Sequence, residues 1–431
     1  AVLDNVRKHA LQIFRAALEA ADPYAAVLRH LQFDGHTLTA GRRRYRISDF
    51  DRIQVVGAGK AGAAMARAVE SLLGRRIAGG AVNVPDGTEK RVRRITLLPA
   101  SHPIPDERGA AGARKILEIA HAAGARDLLI CVISGGASAL LPAPVPGLTL
   151  AAKQKITRDL LHAGANIHEL NAVRKHLSLL KGGQLAAAAY PATIIALLLS
   201  DVTGDDLDVI GSGPTAGDSQ SIADARSVLH KYRLTIPEGV LRETPKPGDP
   251  KLARVQNLIV GSNRLAIDAA ARLSKELGYR TLVLSTSMQG EAREVAGMHA
   301  AIAREIITAG RPLRRPACVL SGGETTVTVS GTGLGGRNQE FVLAAAIAVE
   351  NCSAPITIFS AGTDGFDGPT DAAGAIADEH TIARAGKLHL DARAFLNDND
   401  SYHFFERLDG LVKTGPTGTN VMDVRILLLP E

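Results

Sequence analysis

The chain has 431 residues, of which 45% are hydrophobic and 22% charged, so we predict two or three domains with substantial cores and exclude a disordered or coiled-coil protein. Aromatic residues make up only 3% and Trp is absent, which argues against a protein that stacks single-stranded nucleic acid. The net charge of +6 favours an anionic metabolite over a nucleic-acid duplex as the partner, because the basic residues are scattered along the chain.

The cysteines and the apolar runs bear on the cellular setting. The three cysteines are spread over the chain without a CxxC pair, so they predict neither a disulfide framework nor a zinc site. No apolar run reaches the ~18 residues that a membrane-spanning helix needs, and the first residues lack the pattern of a signal peptide. We therefore expect a soluble, cytoplasmic protein with no membrane partner.

The chain opens with two predicted helices. Apolar residues recur at helical spacing up to Ala17, and Pro23 suits the first position of a second helix. After Phe50, short β-branched runs alternate with Gly, Ser or Asp and with helical segments, which predicts parallel α/β structure. Because Pro accumulates among charges around residue 245, we predict an N-terminal domain over 1–236, a linker over 237–254 and a C-terminal α/β domain over 255–431.

The two predicted domains share an order of strand-end motifs. The first contains VVGAGK, VISGGAS and LLSDVTGDD, and the second contains IVGSN, VLSGGET and FSAGTDGFDG. Two explanations remain open: an ancient duplication, or the general tendency of strand C-termini to carry Gly, Ser and Asp. In either case the polar groups come directly after strands, and open parallel sheets bind ligands at that edge.

The first motif is a glycine-rich turn between a strand and a helix. GAGKAG fits GxGxxG, a pattern that lets backbone N–H groups approach phosphate, and it nominates Gly57 and Gly59 as phosphate ligands. The acidic ribose partner expected ~20 residues further on for a dinucleotide is not convincing. Lys60 adds a positive charge inside the turn, which suits charge neutralisation in phosphoryl transfer; the alternative is a surface Lys on a packing turn.

The second motif is a Ser-Gly-Gly turn with a basic helix after it. Two glycines permit a backbone nest for an anion and two hydroxyls add donors, but the pattern is not the GxSxG of a serine hydrolase. On the basic helix, Arg174 and Lys175 could hold a carboxylate or phosphate, unless that face is merely solvated. The candidate ligands from the turn are Ser134, Gly135, Gly136 and Ser138.

Acidic residues come after two further strands. Mg²⁺ takes one or two carboxylates together with phosphate oxygens and water, and a strand end is the usual place for such a carboxylate. Asp201 is the leading ligand and Asp205 the second, although both could be solvated loop acids. Asp364 is the leading acid of the other strand end, for a metal or as a base that accepts a substrate hydroxyl proton.

The C-terminal part repeats the Ser-Gly-Gly turn and leads into a helix that begins with Arg337. Arg at a helix start after a glycine-rich stretch suits bidentate binding of a planar anion. A final glycine-rich turn could contact a ligand, though a simple hairpin is equally consistent with it. The candidate ligands of this part are Ser321, Gly322, Gly323, Glu324, Asn338, Thr419 and Asn420.

Taken together, these blocks resemble one enzyme family. GAGKAG, SGGASALL, NAVRKHLSLLKGGQLA, SDVTGDDLDVIGSGPT, GLGGRNQEF, SAGTDGFDGPTDAAGA and KTGPTGTNVMD are similar to the class II glycerate 2-kinases, whose C-terminal portion is called the MOFRL domain. The resemblance implies a Rossmann-like N-terminal domain and a C-terminal MOFRL-type domain, both α/β with mainly parallel sheets, and an active site in the cleft between them. It also implies Lys60 and Arg337 as the catalytic pair, to which our interpretation of the strand-end acids adds Asp201 or Asp364 as the residue near Mg²⁺.

The implied activity is the ATP- and Mg²⁺-dependent phosphorylation of D-glycerate at its 2-hydroxyl, giving 2-phosphoglycerate. Family members also carry the name hydroxypyruvate reductase, so an NAD(P)H-dependent reductase is the first alternative, and a non-catalytic sugar-phosphate or nucleotide sensor is the second. The expected partners are small molecules, with the chain a monomer or a homodimer.

Overall fold

The computed structural model describes residues 2–89 and 91–431, with side chains from residue 5 onward. The chain forms two compact units. We call Pro23–Val260 the parallel-sheet unit, and Ala1–Asp22 together with Gly261–Glu431 the mixed-sheet unit. None of the helices within the described ranges is long and apolar enough to span a membrane.

The helices are distributed along both units. Their bounds are α1 Val2–Ala21, α2 Pro23–His30, α3 Gly62–Leu73, α4 Glu107–His121, α5 Ala137–Leu140, α6 Leu150–His162, α7 Ile167–His176, α8 Gln184–Ala189, α9 Ile222–Lys231, α10 Asn263–Glu276, α11 Ala292–Ala309, α12 Arg337–Ala348, α13 Thr381–Lys387, α14 Ala392–Asn397 and α15 Ser401–Glu406.

The strands build three sheets. Their bounds are β1 Leu31–Phe33, β2 Thr37–Ala40, β3 Arg43–Arg46, β4 Arg52–Ala58, β5 Ile77–Pro85, β6 Thr96–Ala100, β7 Asp127–Ile133, β8 Thr193–Leu199, β9 Val255–Gly261, β10 Arg280–Met288, β11 Ala317–Gly323, β12 Thr357–Gly362, β13 Gly374–Asp378, β14 Leu411–Val412 and β15 Asp423–Leu429.

The two opening helices are confirmed. The apolar stripe of α1 is buried, and Phe14 packs against Phe359 of the mixed-sheet unit with ring centroids 5.0 Å apart. Pro23 occupies the first position of α2, where its missing N–H costs no hydrogen bond. The small antiparallel sheet β1–β2–β3 was not predicted, since its three- and four-residue strands are too short for a clear alternation.

The parallel-sheet unit contains a six-stranded sheet in the order β6-β5-β4-β7-β8-β9. The pairs β5–β6, β4–β5, β4–β7 and β7–β8 are parallel, and β7 and β8 are buried along their whole length. Numbered within the sheet, the strand order is 3-2-1-4-5-6, that of the doubly wound dinucleotide-binding fold. Its order reverses between β4 and β7, so ligands are expected beside the carboxyl ends of those two strands. The Rossmann-like prediction is confirmed.

The expected domain boundaries differ from this division. Helix α1 belongs to the mixed-sheet unit, whereas β9, expected to start the C-terminal domain, closes the edge of the parallel sheet. The segment 237–254 is not a free linker: Val240 is buried, and the hydroxyl of Thr244 donates to Asp218 at 2.9 Å. The prolines of this segment interrupt regular secondary structure, but the segment still packs against the core.

The mixed-sheet unit corrects the expectation of a mainly parallel C-terminal sheet. Its strand order is β10-β11-β15-β12-β13-β14, and only β10–β11 is parallel. The last strand, β15, inserts between β11 and β12 and runs antiparallel to both. A strand buried on both faces reads as the same apolar run in either direction, so sequence pattern does not reveal this orientation.

Candidate functional site

The backbone N–H groups of the glycine-rich turn after β4 are already hydrogen-bonded within the protein. Four consecutive backbone N–H groups, which the GxGxxG pattern would offer to a phosphate, already donate to acceptors within the unit. These bonds run from Gly59 to the carbonyl of Asn83 (3.2 Å), from Lys60 to the carbonyl of Gly135 (2.9 Å), from Ala61 to the hydroxyl of Ser134 (3.0 Å) and from Gly62 to the carbonyl of Gly59 (3.0 Å).

The glycines of this turn are explained by close packing. A Cβ atom on Gly57 would lie 1.9 Å from the carbonyl oxygen of Val132, and one on Gly59 would lie 2.0 Å from the hydroxyl oxygen of Ser134. Any side chain at either position would therefore push β4 away from β7. Strand packing therefore accounts for the two glycines and Ser134, and their predicted role in phosphate binding stays a prediction.

Lys60 and Asp201 meet at the Ser-Gly-Gly turn, at the point where the strand order reverses. Lys60 is exposed, and a Cβ atom on Gly136 would lie 3.2 Å from its Cγ. A Cβ atom on Gly135 would lie 2.2 Å from a carboxylate oxygen of Asp201. Burial raises the pKa of Asp201, and the charge of Lys60 opposes this shift. The two residues were nominated separately from the sequence, and the structure brings them to one turn.

The Ser-Gly-Gly turn presents two open donors. Within the described chain, the N–H groups of Gly135 and Gly136 have no hydrogen-bond acceptor, and Gly136 has a left-handed φ of +83° that suits glycine. His102, which sequence reasoning missed, lies against the same turn, with its Cδ2 3.0 Å from the position of a Gly136 Cβ. Burial and the charge of Lys60 lower the pKa of His102, which favours the neutral imidazole.

A cavity of about 540 Å³ opens beside this turn, with Gly136 and Ser138 in its wall. We call it the basic cavity, because its described lining contains six basic side chains and no acidic one. The basic side chains are His102, Lys153, Arg158, His162, Arg174 and Lys181.

Two lysines of the basic cavity are buried without carboxylate partners. Lys153 is 7% exposed, and its Nζ has no hydrogen-bond partner in the described part of the chain. Burial, and to a smaller extent the charge of Arg174, lowers the pKa of Lys153 to about 7. The Nζ of Lys181 donates to the carbonyl of Ser138 at 2.8 Å, and burial followed by the charges of Lys153 and Arg174 lowers its pKa. An anion in this cavity would relieve the repulsion and the desolvation together.

Of the two residues predicted on α7, Arg174 lines the basic cavity and Lys175 does not. Lys175 is 1% exposed, and its Nζ lies 3.0 Å from a carboxylate oxygen of Asp208 and 3.0 Å from one of Asp218. This buried ion pair ties α7 to the loop after β8. The ligand role predicted for Lys175 is therefore replaced by a structural one.

The predicted carboxylates do not form a metal cage. Among the described residues, no group of three or more His, Cys, Asp or Glu side chains is placed to hold a metal ion. Asp205 lies in a turn with a left-handed φ of +58°, and Asp364 belongs to the other unit, where its carboxylate accepts from the N–H of Phe366 at 3.0 Å. Asp201 is the acid that the structure places beside Lys60.

In the mixed-sheet unit, a buried carboxylate that sequence reasoning missed organises Arg337. The register places Asp423 between Gly323 of β11 and Gly362 of β12. Nε and Nη2 of Arg337 donate to the two oxygens of Asp423 at 2.7 and 2.9 Å, and its Nη1 lies 2.7 Å from Glu324. Burial lowers the pKa of Arg337, but these ion pairs outweigh it and the net shift is upward.

Asn338 and Asp367 complete the start of α12. The carboxylate of Asp367 accepts from the backbone N–H groups of Asn338 and Gln339 at 3.0 and 2.8 Å, so it caps the helix. The side-chain amide of Asn338 donates to Asp367 and to Asp423, both at 3.1 Å. Burial raises the pKa of Asp367 to about 6. The N–H groups at the start of α12 therefore already have an anionic partner within the protein, the carboxylate of Asp367.

The second Ser-Gly-Gly sequence lies inside strand β11 and is buried. The hydroxyl of Ser321 is 2.8 Å from Nε2 of His299, a Cβ atom on Gly322 would lie 1.7 Å from the amide oxygen of Asn263, and one on Gly323 would lie 2.3 Å from the N atom of Met288. The predicted ligand role of these three residues is therefore replaced by packing.

The last predicted turn also has structural roles. The hydroxyl of Thr419 donates to the carbonyl of Ala21 at 2.7 Å, and the side-chain oxygen of Asn420 accepts from the N–H of Met422 at 3.0 Å. Thr419 is buried, so it fastens α1 to this turn.

Comparison with known proteins identifies relatives over almost the whole chain. Residues 9–243 match a domain of unknown function, DUF4147, and residues 317–423 match the MOFRL family. D-glycerate 2-kinase of Thermotoga maritima is 40% identical, with 99% of each chain covered. A protein of Agrobacterium vitis that is provisionally named a hydroxypyruvate reductase is also 40% identical, over 99% of this chain and 95% of the other.

Two solved structures share the fold. The crystal structure of glycerate kinase from Thermotoga maritima superimposes with a TM-score of 0.90 at 40% identity, covering 99% of this chain and 100% of the other. A protein of Pyrococcus horikoshii gives a TM-score of 0.90 at 36% identity, with 99% of each chain covered. The agreement extends through sequence, both matched domains and the complete fold, and on these grounds the chain belongs to the glycerate 2-kinase family.

Proposed function

We propose that the protein transfers the terminal phosphoryl group of ATP to the 2-hydroxyl of D-glycerate, giving 2-phosphoglycerate and ADP. The observation that carries this proposal is the set of unpaired donors at the reversal point of the parallel sheet. Lys60 is exposed beside Gly136, and the open N–H groups of Gly135 and Gly136 belong to the same turn, beside a cavity lined by further basic side chains. Phosphoryl transfer needs mainly positioning and neutralisation of charge, and such donors supply both.

Lys60 is proposed to neutralise negative charge that develops on the transferring group. Because its side chain lies over Gly136 and near Asp201, it can act at the position where the hydroxyl and the phosphate meet. The N–H groups of Gly135 and Gly136 would fix oxygen atoms of the phosphate or of the substrate.

Mg²⁺ is proposed to bind at Asp201 together with phosphate oxygens of ATP. Two points support this fit. The carboxylate of Asp201 is partly buried and makes no ion pair within 4 Å among the described residues. A magnesium ion that is also bound by phosphate oxygens needs only one or two carboxylates from the protein. When bound, the ion would supply positive charge to the phosphate oxygens. The contribution of Asp201 itself is one negative ligand, held against Gly135 by the close packing of the turn.

Arg337 is proposed as the second source of positive charge, although its main contacts are internal. Three of its five N–H groups are used by Asp423 and Glu324, which leaves two for a substrate. Its side chain is 31% exposed, so those remaining donors can be reached. Asp364 stays a candidate base from the sequence.

The structure gives reasons to prefer this reaction over hydroxypyruvate reduction. A dinucleotide would need the N–H groups of the glycine-rich turn, and the N–H groups of residues 59–62 are already bonded within the protein. The acid nearest the expected ribose position, Asp86, has both carboxylate oxygens bound by Arg108 at 2.7 Å. These two observations, at the glycine-rich turn and at Asp86, therefore give no support to the reductase name that some relatives carry.

The test is an assay with D-glycerate, ATP and Mg²⁺ that is read through enolase without phosphoglycerate mutase. A signal means that phosphate has been transferred to the 2-hydroxyl, because enolase consumes 2-phosphoglycerate. A parallel reaction with hydroxypyruvate and NADH tests the alternative. We expect the enolase signal and no NADH consumption; NADH consumption without an enolase signal would contradict the proposal.

We also propose a cytoplasmic setting, which the three free cysteines support, because a reducing compartment keeps thiols unpaired. The expectation of a monomer or homodimer remains a prediction, to be checked by light scattering.

A further inference from the structure

The basic cavity holds more positive charge than a small monoanionic substrate requires. Its described lining carries six basic side chains and no acidic one, and the Nζ of Lys153 is buried without an acceptor. D-glycerate brings a single carboxylate, whereas three of these basic side chains, Lys153, Arg174 and Lys181, are buried or partly buried. A polyanion such as a triphosphate matches the cavity better, because buried charge is stable only when it is paired.

The shape of the cavity also exceeds what a three-carbon acid needs. Its volume of about 540 Å³ lies in the usual range for pockets that hold drug-sized or cofactor-sized ligands. Part of its wall is apolar: Ile104 and Leu161 line it while remaining 67% and 54% exposed. Large apolar side chains that stay exposed beside a pocket mark a surface for an apolar part of a ligand.

The basic cavity adjoins the turn that carries Lys60 and Asp201. Lys181 donates to the carbonyl of Ser138, and Ser138 and Gly136 both line the cavity next to Lys60. Gly136 therefore joins the cavity to the turn where Lys60 and Asp201 meet. A molecule that places charged groups on the cations and an apolar group on Leu161 would fit this lining.

We propose that the basic cavity is the binding site of the nucleoside triphosphate donor, with the phosphates on Lys153, Arg174 and Lys181 and the base on the apolar wall of Ile104 and Leu161. This inference rests on the proposed phosphoryl transfer and deepens it, because it states which of the two substrates the cavity takes. D-glycerate then binds outside the cavity.

The first test compares Lys153→Met with Lys155→Met. Both lysines lie on α6, but Lys155 is 71% exposed and pairs with Asp159, so it is a matched control. Lys153→Met removes a buried unpartnered charge, and the variant should fold at least as well as the wild type. Calorimetry with β,γ-imido-ATP and Mg²⁺, without D-glycerate, should show a dissociation constant at least about tenfold higher for Lys153→Met and unchanged for Lys155→Met.

Steady-state kinetics show which of the two substrates depends on Lys153. The KM for ATP should rise in Lys153→Met while the KM for D-glycerate stays at the wild-type value. A rise confined to the KM for D-glycerate, or an unchanged dissociation constant for β,γ-imido-ATP, would overturn the assignment. Loss of β,γ-imido-ATP binding in Lys153→Met, with no 2-phosphoglycerate formed even by the wild type, would support the cavity and refute the proposed reaction. Formation of 2-phosphoglycerate by the wild type, together with normal nucleotide binding in the variant, would support the proposed reaction and refute the assignment of the cavity.

The second test concerns the position of the nucleotide base in the cavity. Leu161→Ser is compared with Leu388→Ser, since both leucines are 54% exposed and Leu388 belongs to the mixed-sheet unit. The wild type should bind β,γ-imido-ATP more tightly than inorganic tripolyphosphate, and Leu161→Ser should reduce this preference by about three- to tenfold. An unchanged preference in Leu161→Ser, or an equal reduction in Leu388→Ser, would overturn the placement of the base.

Discussion

The strand ends of the two units carry the same residue types and use them in opposite ways. In the parallel-sheet unit, Ser134-Gly135-Gly136 leaves β7 as an open turn, with two N–H groups that have no acceptor in the described chain. In the mixed-sheet unit, Ser321-Gly322-Gly323 continues β11 and is buried. The difference arises from strand pairing, because β15 pairs with β11 as far as Gly323, whereas β7 ends one residue before Ser134.

The basic side chains also differ in whether they have an acidic partner within the protein. Lys153 is buried without a partner, and the described lining of its cavity is free of acids. Arg337 and Arg425 instead share the fully buried carboxylate of Asp423, at 2.7 and 3.2 Å. A cation that is already paired inside the protein contributes to the fold, and a cation left unpaired is available to a ligand. The identity of the partner therefore decides the role of a basic residue.

The largest expected effect tests whether a paired cation is needed for folding. Lys175→Met should lower the free energy of unfolding by about 3–5 kcal/mol, because it leaves Asp218 buried without its cation. Urea denaturation measures this change. The control is Lys155→Met, whose exposed ion pair should be worth less than about 1 kcal/mol. Equal stability of the two variants would break the comparison between paired and unpaired cations.

The next effect concerns turnover. Lys60→Met should lower kcat by about 100- to 1000-fold, since one preorganised donor to a transition state contributes this much. Its free energy of unfolding should stay within about 0.5 kcal/mol of the wild type, because the side chain is exposed. Lys115→Met, at another exposed position of the same unit, is the control for both measurements. Normal turnover in Lys60→Met would remove this residue from the reaction.

Arg337→Met should behave differently from Lys60→Met. Besides any loss of turnover, we expect a decrease of about 2 kcal/mol in the free energy of unfolding, because Asp423 loses a bidentate partner and keeps Arg425 and the amide of Asn338. Arg337→Lys should recover part of the stability. A stability equal to that of Lys60→Met would show that the pair with Asp423 does not hold the strand ends together.

The smallest effect is a pH dependence of stability. The pKa of Lys153 is about 7 in the folded protein and higher when the chain is unfolded, so between these values the unfolded state binds more protons. Stability of the wild type should therefore rise with pH in this window. The excess stability of Lys153→Met over the wild type should shrink by about 1 kcal/mol between pH 8 and pH 9. A constant difference would show that Lys153 is not desolvated.

The sequence allowed much of the architecture to be predicted, because the signals were local. The buried runs before Gly57 and Ser134 and the Pro at the start of α2 indicated parallel α/β structure and the opening helices. The direction of β15 and the affiliation of α1 depend on long-range packing, which residue periodicity does not encode.

For the site, residue types were predictable and partners were not. Lys60, Asp201 and Gly136 were each nominated from the sequence, and the structure brings them to one edge because they come after neighbouring strands of one parallel sheet. Lys175 and Arg174 are adjacent on one helix, and nothing local distinguishes the lysine that meets Asp218 from the arginine that lines the cavity. Lys153 was missed because it is one of two lysines on an amphipathic helix, and its burial depends on the tertiary fold.

The most direct measurement is the number of protons taken up when the nucleotide binds. Calorimetric titration of the wild type with β,γ-imido-ATP and Mg²⁺ at pH 8, in buffers of different ionisation enthalpy, gives this number. Because the pKa of Lys153 is about 7 in the free protein and a bound phosphate would raise it, we predict net proton uptake that decreases in Lys153→Met. Binding without proton uptake, or with the same uptake in the variant, would contradict the claim that the unpaired cations of the parallel-sheet unit receive the anion.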